Sequence, residues 1–376
     1  AVEGLAAFAA GGAPSLPAAD TRRDDMAFWL YSSGSTGRPK GVVHLQHDMA
    51  YTVASYAHHV LRLVPDDICF SVPKIFFAYG LGNSMSFPFA AGASAVLLPG
   101  RPEPGRVFAA IAAHRPTVFF GLPTLYTALA HAPEARGADL SGLRLAVSAA
   151  EVLSEEVAAQ WQAVGGPPIV EGLGSTEVLH IYLSNLPDAR RAGAAGRRVP
   201  GYEVRLLDPD GVREVGDGEE GILWVRGHSN APGYWNRPDR TAETMREGGW
   251  IYTGDRFLRD AEGFHHFRGR ADDLIKVSGQ WVHPMEVELC LANHPAVREV
   301  AVLGRALADR RMTLTAYVVP ADPAADAAAL TAALQAHAKA ALLPYKYPRE
   351  VVLLAEMPKT GTGKIDRQAL RAVGAP

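Results

Sequence analysis

Two textures alternate along the first half of the chain: short runs rich in β-branched and aromatic residues, and longer stretches with apolar side chains at helical spacing. Ala27–Ser32 (AFWLYS) is the first short run and reads as a buried strand that ends in a loop of Gly, Ser and Thr. Helical spacing then runs from about Gln46 to Leu63. Thr117–Phe120 and Leu143–Ser148 read as further strands, Pro123 opens a helix at its first turn, and Ser154 caps another. Strands alternating with helices predict a layered α/β domain with mostly parallel strands.

After about Gly196 the texture changes. Tyr202–Leu207 and Gly221–Arg226 flank a turn-rich segment, DPDGVREVGDGEE, which predicts antiparallel β-structure. From about Asp272 a smaller α+β unit follows, with helices near Glu286–Asn293 and Ala327–Ala341 and strands at Val297–Leu303 and Thr313–Val319. The Ala-rich Asp322–Ala341 segment reads as a surface helix. Residues 1–271 and 272–376 are therefore expected to be a large and a small domain, α/β with a β-rich subdomain and α+β respectively.

Composition narrows the function classes. A net charge of −3 and a pI near 6.5 leave no basic excess for nucleic acid or an anionic membrane. The apolar stretch from Phe87 to Leu98 is broken by Pro88 and Gly92 and is too short to span a bilayer. No basic residue precedes Arg22, which argues against a signal peptide, so a cytoplasmic protein is expected. Cys69 and Cys290 fit no CxxC or zinc spacing and read as buried filler. His58, His59, His265 and His266 have no partners at metal-ligand spacing and read as structural.

Tyr31-Ser-Ser-Gly-Ser-Thr-Gly-Arg-Pro-Lys-Gly41 carries the first specific chemistry. Gly34, Gly37 and Gly41 let backbone N–H groups turn towards one centre. Ser32, Ser33, Ser35 and Thr36 add hydroxyl donors and Lys40 a cation, a set suited to a polyphosphate. Pro39 stands where a Walker A loop needs its second glycine, so this is a different phosphate loop. The segment resembles the phosphate-binding signature of adenylate-forming enzymes: acyl- and aryl-CoA ligases, adenylation domains and luciferases. Further signatures of that family follow in order: EGLGSTE (171–177), YTGD (252–255), FRGRADDLIKVSGQWVHPMEVE (267–288) and PKTGTGK (358–364).

The resemblance implies ATP, Mg²⁺ and coenzyme A as cofactors and a role for each motif. Glu177 would help hold Mg²⁺ and Thr176 would contact phosphate, as one acidic residue among waters suits this ion. Ala150, Glu151, Glu171, Gly172 and Leu173 would border the nucleotide, Leu173 standing where many relatives carry a tyrosine against adenine. Asp255 would accept from the ribose hydroxyls with Arg270 as its basic companion. Lys364 is implied as the catalytic lysine of adenylation, Lys359 reading as a mobile tail residue. Asp272 would be the hinge of a rotating small domain, and Ser278, Gly279, Gln280 and Trp281 would line the pantetheine tunnel.

FFAYGLG (76–82) and TEVLHIYLSN (176–185) resemble benzoate–CoA ligases more than fatty acyl or acetyl ligases. By position, Ala78, Tyr79, Ala149, Gly174, His180 and Ile181 become the acid pocket, a flat slot suited to an aromatic ring. His180 alone reads as an ordinary hydrogen-bonded core histidine. The implied reaction turns benzoate or a substituted benzoate into its adenylate and then its CoA thioester, with a homodimer as a candidate assembly. Two alternatives stand beside it: transfer to a carrier protein, and a nucleotide-binding fragment without catalysis. Only 30 residues precede Tyr31, where the family carries well over a hundred. The large domain is thus expected to be incomplete at its N-terminal side, exposing apolar surface and sheet edges.

Overall fold

A computed structural model describes residues 7, 10–13, 15–32, 39–151, 153–271, 273–277, 280–306, 312–359 and 365–373, with the backbone alone for Trp281. Strand β1 (Met26–Ser32) pairs antiparallel with β2 (Lys40–Leu45), Ser32 facing Lys40 across the ladder. The loop residues Ser33, Gly34, Ser35, Thr36 and Gly37 lie outside the described residues. Sequence pattern predicts β1 as buried; instead Trp29 and Tyr31 are exposed, because this hairpin stands apart from the main sheet and covers only one of its own faces.

Helix α1 (Asp48–Thr52) runs on as a π-helix, Val53–Leu61, and leads to β3 (Ile68–Ser71). Helix α2 (Ala78–Leu81), a π-helical turn Gly82–Ser86 and α3 (Phe87–Ala91) follow as one stretch, ended by Gly92 at φ 70°. Next come β4 (Ser94–Leu97), α4 (Pro104–His114), β5 (Val118–Gly121), α5 (Pro123–His131), β6 (Leu145–Ser148), α6 (Glu155–Ala163), β7 (Ile169–Gly174), β8 (Ile181–Ser184) and β9 (Arg197–Arg198). Pro104 and Pro123 start their helices, and the Ser154 hydroxyl accepts from the Val157 N–H at 3.2 Å.

Among the described residues these strands form a seven-stranded sheet in the order β4-β3-β5-β6-β7-β8-β9, parallel up to β7. Alternate residues serve two cores. Cys69, Val118, Phe120, Val147 and Val170 face the helix of Tyr56 and Leu61, while Phe70, Phe119, Ala146 and Ile169 face α4, α5 and α6. That double burial explains why β5 and β6 read as unbroken apolar runs. Each such Val, Ile, Leu or Phe side chain contributes about 1.5–3 kcal/mol.

The predicted antiparallel region is β10 (Glu203–Leu207), β11 (Glu220–Arg226), α7 (Pro238–Thr244), β12 (Met245–Arg246), β13 (Trp250–Arg259) and β14 (His265–Arg270). Its strands run β10-β11-β13-β12, with β14 also on β13. The C-terminal part holds the hairpin β15 (Ile275–Val277) and β16 (Gln280–Val282), α8 (Pro284–Ala292), β17 (Val297–Ala306), β18 (Met312–Pro320), α9 (Ala327–Ala341), β19 (Glu350–Leu353) and α10 (Arg367–Ala372). Helix α9 is a surface helix on one side only, since Leu330, Leu334 and Ala338 join the core under β17 and β18. Cys69 is buried as expected, but Cys290 is half-buried. Among the described residues, no helix is long and apolar enough to cross a membrane.

Candidate active site

Strand β7 ends in Gly172, Leu173 and Gly174, and the chain then makes the tight turn Thr176–Val178 before returning as β8. Gly174 is required there: a Cβ would sit 2.6 Å from the His180 carbonyl oxygen. The turn presents Glu177 to Tyr234, whose hydroxyl donates to Glu177 Oε1 at 2.7 Å. Lys40, on β2, holds its ammonium 4.2 Å from the centre of the same Tyr234 ring. One tyrosine thus bridges the phosphate-loop lysine and the acidic residue of the second motif. Burial, then the Glu177 carboxylate, pushes the Tyr234 hydroxyl up, so it stays a donor. Sequence reading missed Tyr234; it lies 57 residues beyond Glu177, and only the aromatic Gly-Tyr-Trp in a turn-rich segment hinted at it.

Asp255 and Arg270 face each other across β13 and β14. Arg270 Nη1 donates to Asp255 Oδ1 and to the Thr253 carbonyl, each at 3.1 Å, and the Asp255 N–H donates to Thr253 Oγ1 at 3.0 Å. Tyr182 is fully buried on β8. Burial first, then the fields of Asp255 and Glu177, raises its hydroxyl well above the usual range, with Arg270 opposing. One buried ring therefore senses both motifs.

On the neighbouring strand ends, the Leu153 N–H donates to Glu171 Oε1 at 3.2 Å and the Thr124 N–H to Glu151 Oε2 at 3.3 Å. Burial pushes the Glu171 carboxyl up to about 8, the Leu153 bond opposing, so it is largely protonated at neutral pH. Just before Glu151, Ala150 takes φ 74°, a strained conformation for a residue with a Cβ.

Of the residues expected to form the acid pocket, Tyr79, Ala149, His180 and Ile181 lie in one packed region and Ala78 in another cluster. The Tyr79 ring lies 5.7 Å from that of His180, and its hydroxyl reaches the Val147 carbonyl at 3.4 Å. Ala149 and Ile181 belong to the core cluster against which Tyr79 packs, while Ala78 packs with Leu30 and Leu179. His180 departs from expectation. It is buried among Tyr56, Tyr79 and Phe87, yet neither ring nitrogen has a hydrogen-bond partner among the described residues. Burial pushes the ring down to about 3, so it is neutral; the Tyr79 backbone opposes this slightly from outside hydrogen-bond geometry.

Gln280 and the Trp281 backbone lie on β16, opposite Val277 and Lys276. Lys364, Asp272, Ser278 and Gly279 fall outside the described residues. Lys359 is no loose tail residue: its ammonium pairs with Glu299 Oε2 at 2.8 Å.

Comparison with known proteins bears on this arrangement. The profile of the AMP-binding enzyme family matches residues 3–235, and that of the AMP-binding enzyme C-terminal domain matches residues 286–364. The chain belongs to the AMP-binding enzyme family. It is 45% identical to a benzoate–CoA ligase of Thauera aromatica over 370 residues, 98% of this chain and 70% of that protein. Among solved structures, a benzoate CoA ligase from Burkholderia xenovorans LB400 superposes with a TM-score of 0.88 at 42% identity, covering 96% of this chain and 72% of that one. The anthranilate CoA ligase AuaEII in complex with anthranoyl-AMP gives 0.89 at 38% identity, covering 95% and 69%. Within this AMP-binding fold the first motif follows β1, EGLGSTE runs off the end of β7, YTGD lies inside β13 and FRGR closes β14.

Proposed function

We propose that this chain converts an aromatic carboxylic acid, benzoate or a substituted benzoate, into its acyl-adenylate with ATP and then into its CoA thioester. What carries the reading is adjacency along one short segment. Thr176 and Glu177 stand beside Tyr234 and Lys40, and three residues on His180 and Ile181 stand against Tyr79 and Ala149. A phosphate-facing group and an aromatic slot thus share one turn, as attack of a carboxylate on an α-phosphate requires.

In this reading Lys40, Ser32, Ser33, Gly34, Ser35, Thr36 and Gly37 hold the polyphosphate, and Glu177 with Thr176 forms its other wall. A carboxyl group that accepts from a tyrosine hydroxyl suits Mg²⁺, which takes one or two carboxylates and keeps several waters; bound there it would neutralise polyphosphate charge. Asp255 accepts from the ribose, oriented by Arg270. Ala150, Glu151, Glu171, Gly172 and Leu173 border the base, where protonated Glu171 can donate a hydrogen bond. Ala78, Tyr79, Ala149, Gly174, His180 and Ile181 enclose the ring. Lys364 supplies the positive charge where the carboxylate meets the α-phosphate.

Residues 1–271 and 272–376 act as two domains hinged at Asp272, with Ser278, Gly279, Gln280 and Trp281 along the thiol's path. The division is supported by the described β-ladders, each of which lies on one side of residue 272. The expected setting is the cytoplasm, with a homodimer as the assembly that light scattering would test. A panel of benzoate, 2-aminobenzoate, 4-hydroxybenzoate and octanoate, read by pyrophosphate release, tests the substrate class. The aromatic acids should be turned over and octanoate should not; the reverse order sinks the aryl reading.

A further inference from the structure

The turn that carries Thr176 and Glu177 is strained and is gripped at every carbonyl. Leu179, which closes it, takes φ 71° and ψ −37°, a conformation costing a side-chain-bearing residue about 1–3 kcal/mol. Such strain persists only when the surroundings over-determine it. The Val178 carbonyl accepts from the Ser229 hydroxyl at 2.8 Å, and the Glu177 carbonyl from the Ala231 N–H at 2.8 Å. The Thr176 carbonyl accepts from the Leu179 N–H at 3.1 Å and from His44 Nε2 at 2.8 Å.

That last hold is built differently from the others. His44 Nδ1 lies 2.8 Å from Asp48 Oδ2, which also accepts from the Leu45 N–H at 3.0 Å. His44 and Asp48 are both fully buried, and Phe28 of β1 stacks on the imidazole with ring centres 5.3 Å apart. Both ring nitrogens face acceptor oxygens, a carboxylate and a carbonyl, so the ring is held at both ends. Removing either partner leaves a buried polar group without its hydrogen-bond partner, so the two side chains hold the link together. It sits four residues after Lys40 on the same strand, so it ties the phosphate-loop hairpin to the opposite wall of the site.

We infer that Asp48 and His44 are positioning residues for adenylate formation. The string from Asp48 through His44 to the Thr176 carbonyl sets where the Thr176 hydroxyl and the Glu177 carboxylate stand relative to Lys40. The inference rests on the reading of Thr176 and Glu177 as the polyphosphate and Mg²⁺ wall. Neither Asp48 nor His44 touches the reactants, so their loss acts on nucleotide geometry and leaves the acid slot alone.

The test uses the full chain carrying H44A, H44Q, D48N or, separately, E177Q. Benzoate-dependent ATP–pyrophosphate exchange gives kcat and the KM of each substrate, and an acyl-adenylate burst counts functional sites. H44A and D48N should lower per-site kcat about 10- to 100-fold and raise KM for ATP, as changes behind a ligand group do. KM for benzoate should stay within about twofold. H44Q, whose amide can still donate to the Thr176 carbonyl, should recover part of the lost rate. A purely structural role would reduce the count of sites while leaving per-site kcat and KM for ATP unchanged, and that result overturns the inference. H44Q no better than H44A overturns it as well. If H44A yields no countable sites, H44Q and D48N decide by the same measures. Should E177Q alone lose the exchange while H44A and D48N match the parent, only the positioning role falls. Should E177Q also match the parent, the reading of the wall falls first.

Discussion

The turn Thr176–Leu179 and the slot that begins at His180 adjoin in sequence and treat polar groups in opposite ways. In the turn the Thr176, Glu177 and Val178 carbonyls each have a donor, and the Glu177 side chain is held by Tyr234. In the slot the buried His180 imidazole has no partner among the described residues, and neither does the buried Ser84 hydroxyl on the π-helical turn nearby. Catalytic geometry is held by donors on the turn's carbonyls, because developing charge needs dipoles that do not move. A recognition slot can leave polar atoms unclaimed, at a cost of about 1–3 kcal/mol each, because the ligand completes the packing.

The largest effect expected from breaking this contrast is on the polar side. Glu177→Gln should lower benzoate-dependent pyrophosphate exchange by about 10²–10³-fold in kcat, the scale on which a single electrostatic contributor matters. On the slot side, Gly82→Ala places a methyl 2.6 Å from His180 Cδ2. It should raise KM for benzoate about tenfold, lower stability by about 1–3 kcal/mol in denaturant titration, and leave KM for ATP unchanged. Tyr234→Phe removes one hydrogen bond to a carboxylate; kcat should fall about tenfold, with KM for benzoate unmoved. A shift in KM for benzoate with Tyr234→Phe, or in KM for ATP with Gly82→Ala, would merge the two regions.

The smallest expected effect is in the pH dependence of stability, where His180 of the slot and Glu171 of β7 carry opposite signs. His180 is held near 3 against 6.5 when unfolded, so its contribution is present above 6.5 and lost as pH falls towards 3. Glu171 is held near 8 against 4.5 when unfolded, so its contribution is present below 4.5 and lost as pH rises towards 8. Their slopes, each about 1.4 kcal/mol per pH unit at most, oppose one another between 4.5 and 6.5. Above 6.5 only the Glu171 slope remains. Glu171→Gln should flatten the decline between 6.5 and 8 in melts taken across that range; an unchanged decline means Glu171 is ionised in the folded state.

Much of this was legible from residue order. The parallel core announces itself through Val118–Gly121 and Leu145–Ser148, and Pro123 and Ser154 mark helix starts by local chemistry. Asp255 and Arg270 could be matched because their motifs flank a single hairpin. Tyr234, Ser229 and Ala231 could not, since only the tertiary path brings them to a turn about fifty residues earlier. His44 and Asp48 did carry a signal, a four-residue spacing just after the phosphate loop. Their spacing alone could not reveal that both are buried or that the ring reaches Thr176. β1 misled because an aromatic β-prone run looks the same whether one or both faces are covered.

The most direct measurement incubates the chain with benzoate, ATP, Mg²⁺ and coenzyme A and follows products by mass. Benzoyl-CoA and AMP should form in equal amounts, with benzoyl-adenylate accumulating when coenzyme A is withheld. Adenylate that forms and persists when coenzyme A is present, or thioester from octanoate but none from benzoate, would contradict an aromatic acid–CoA ligase.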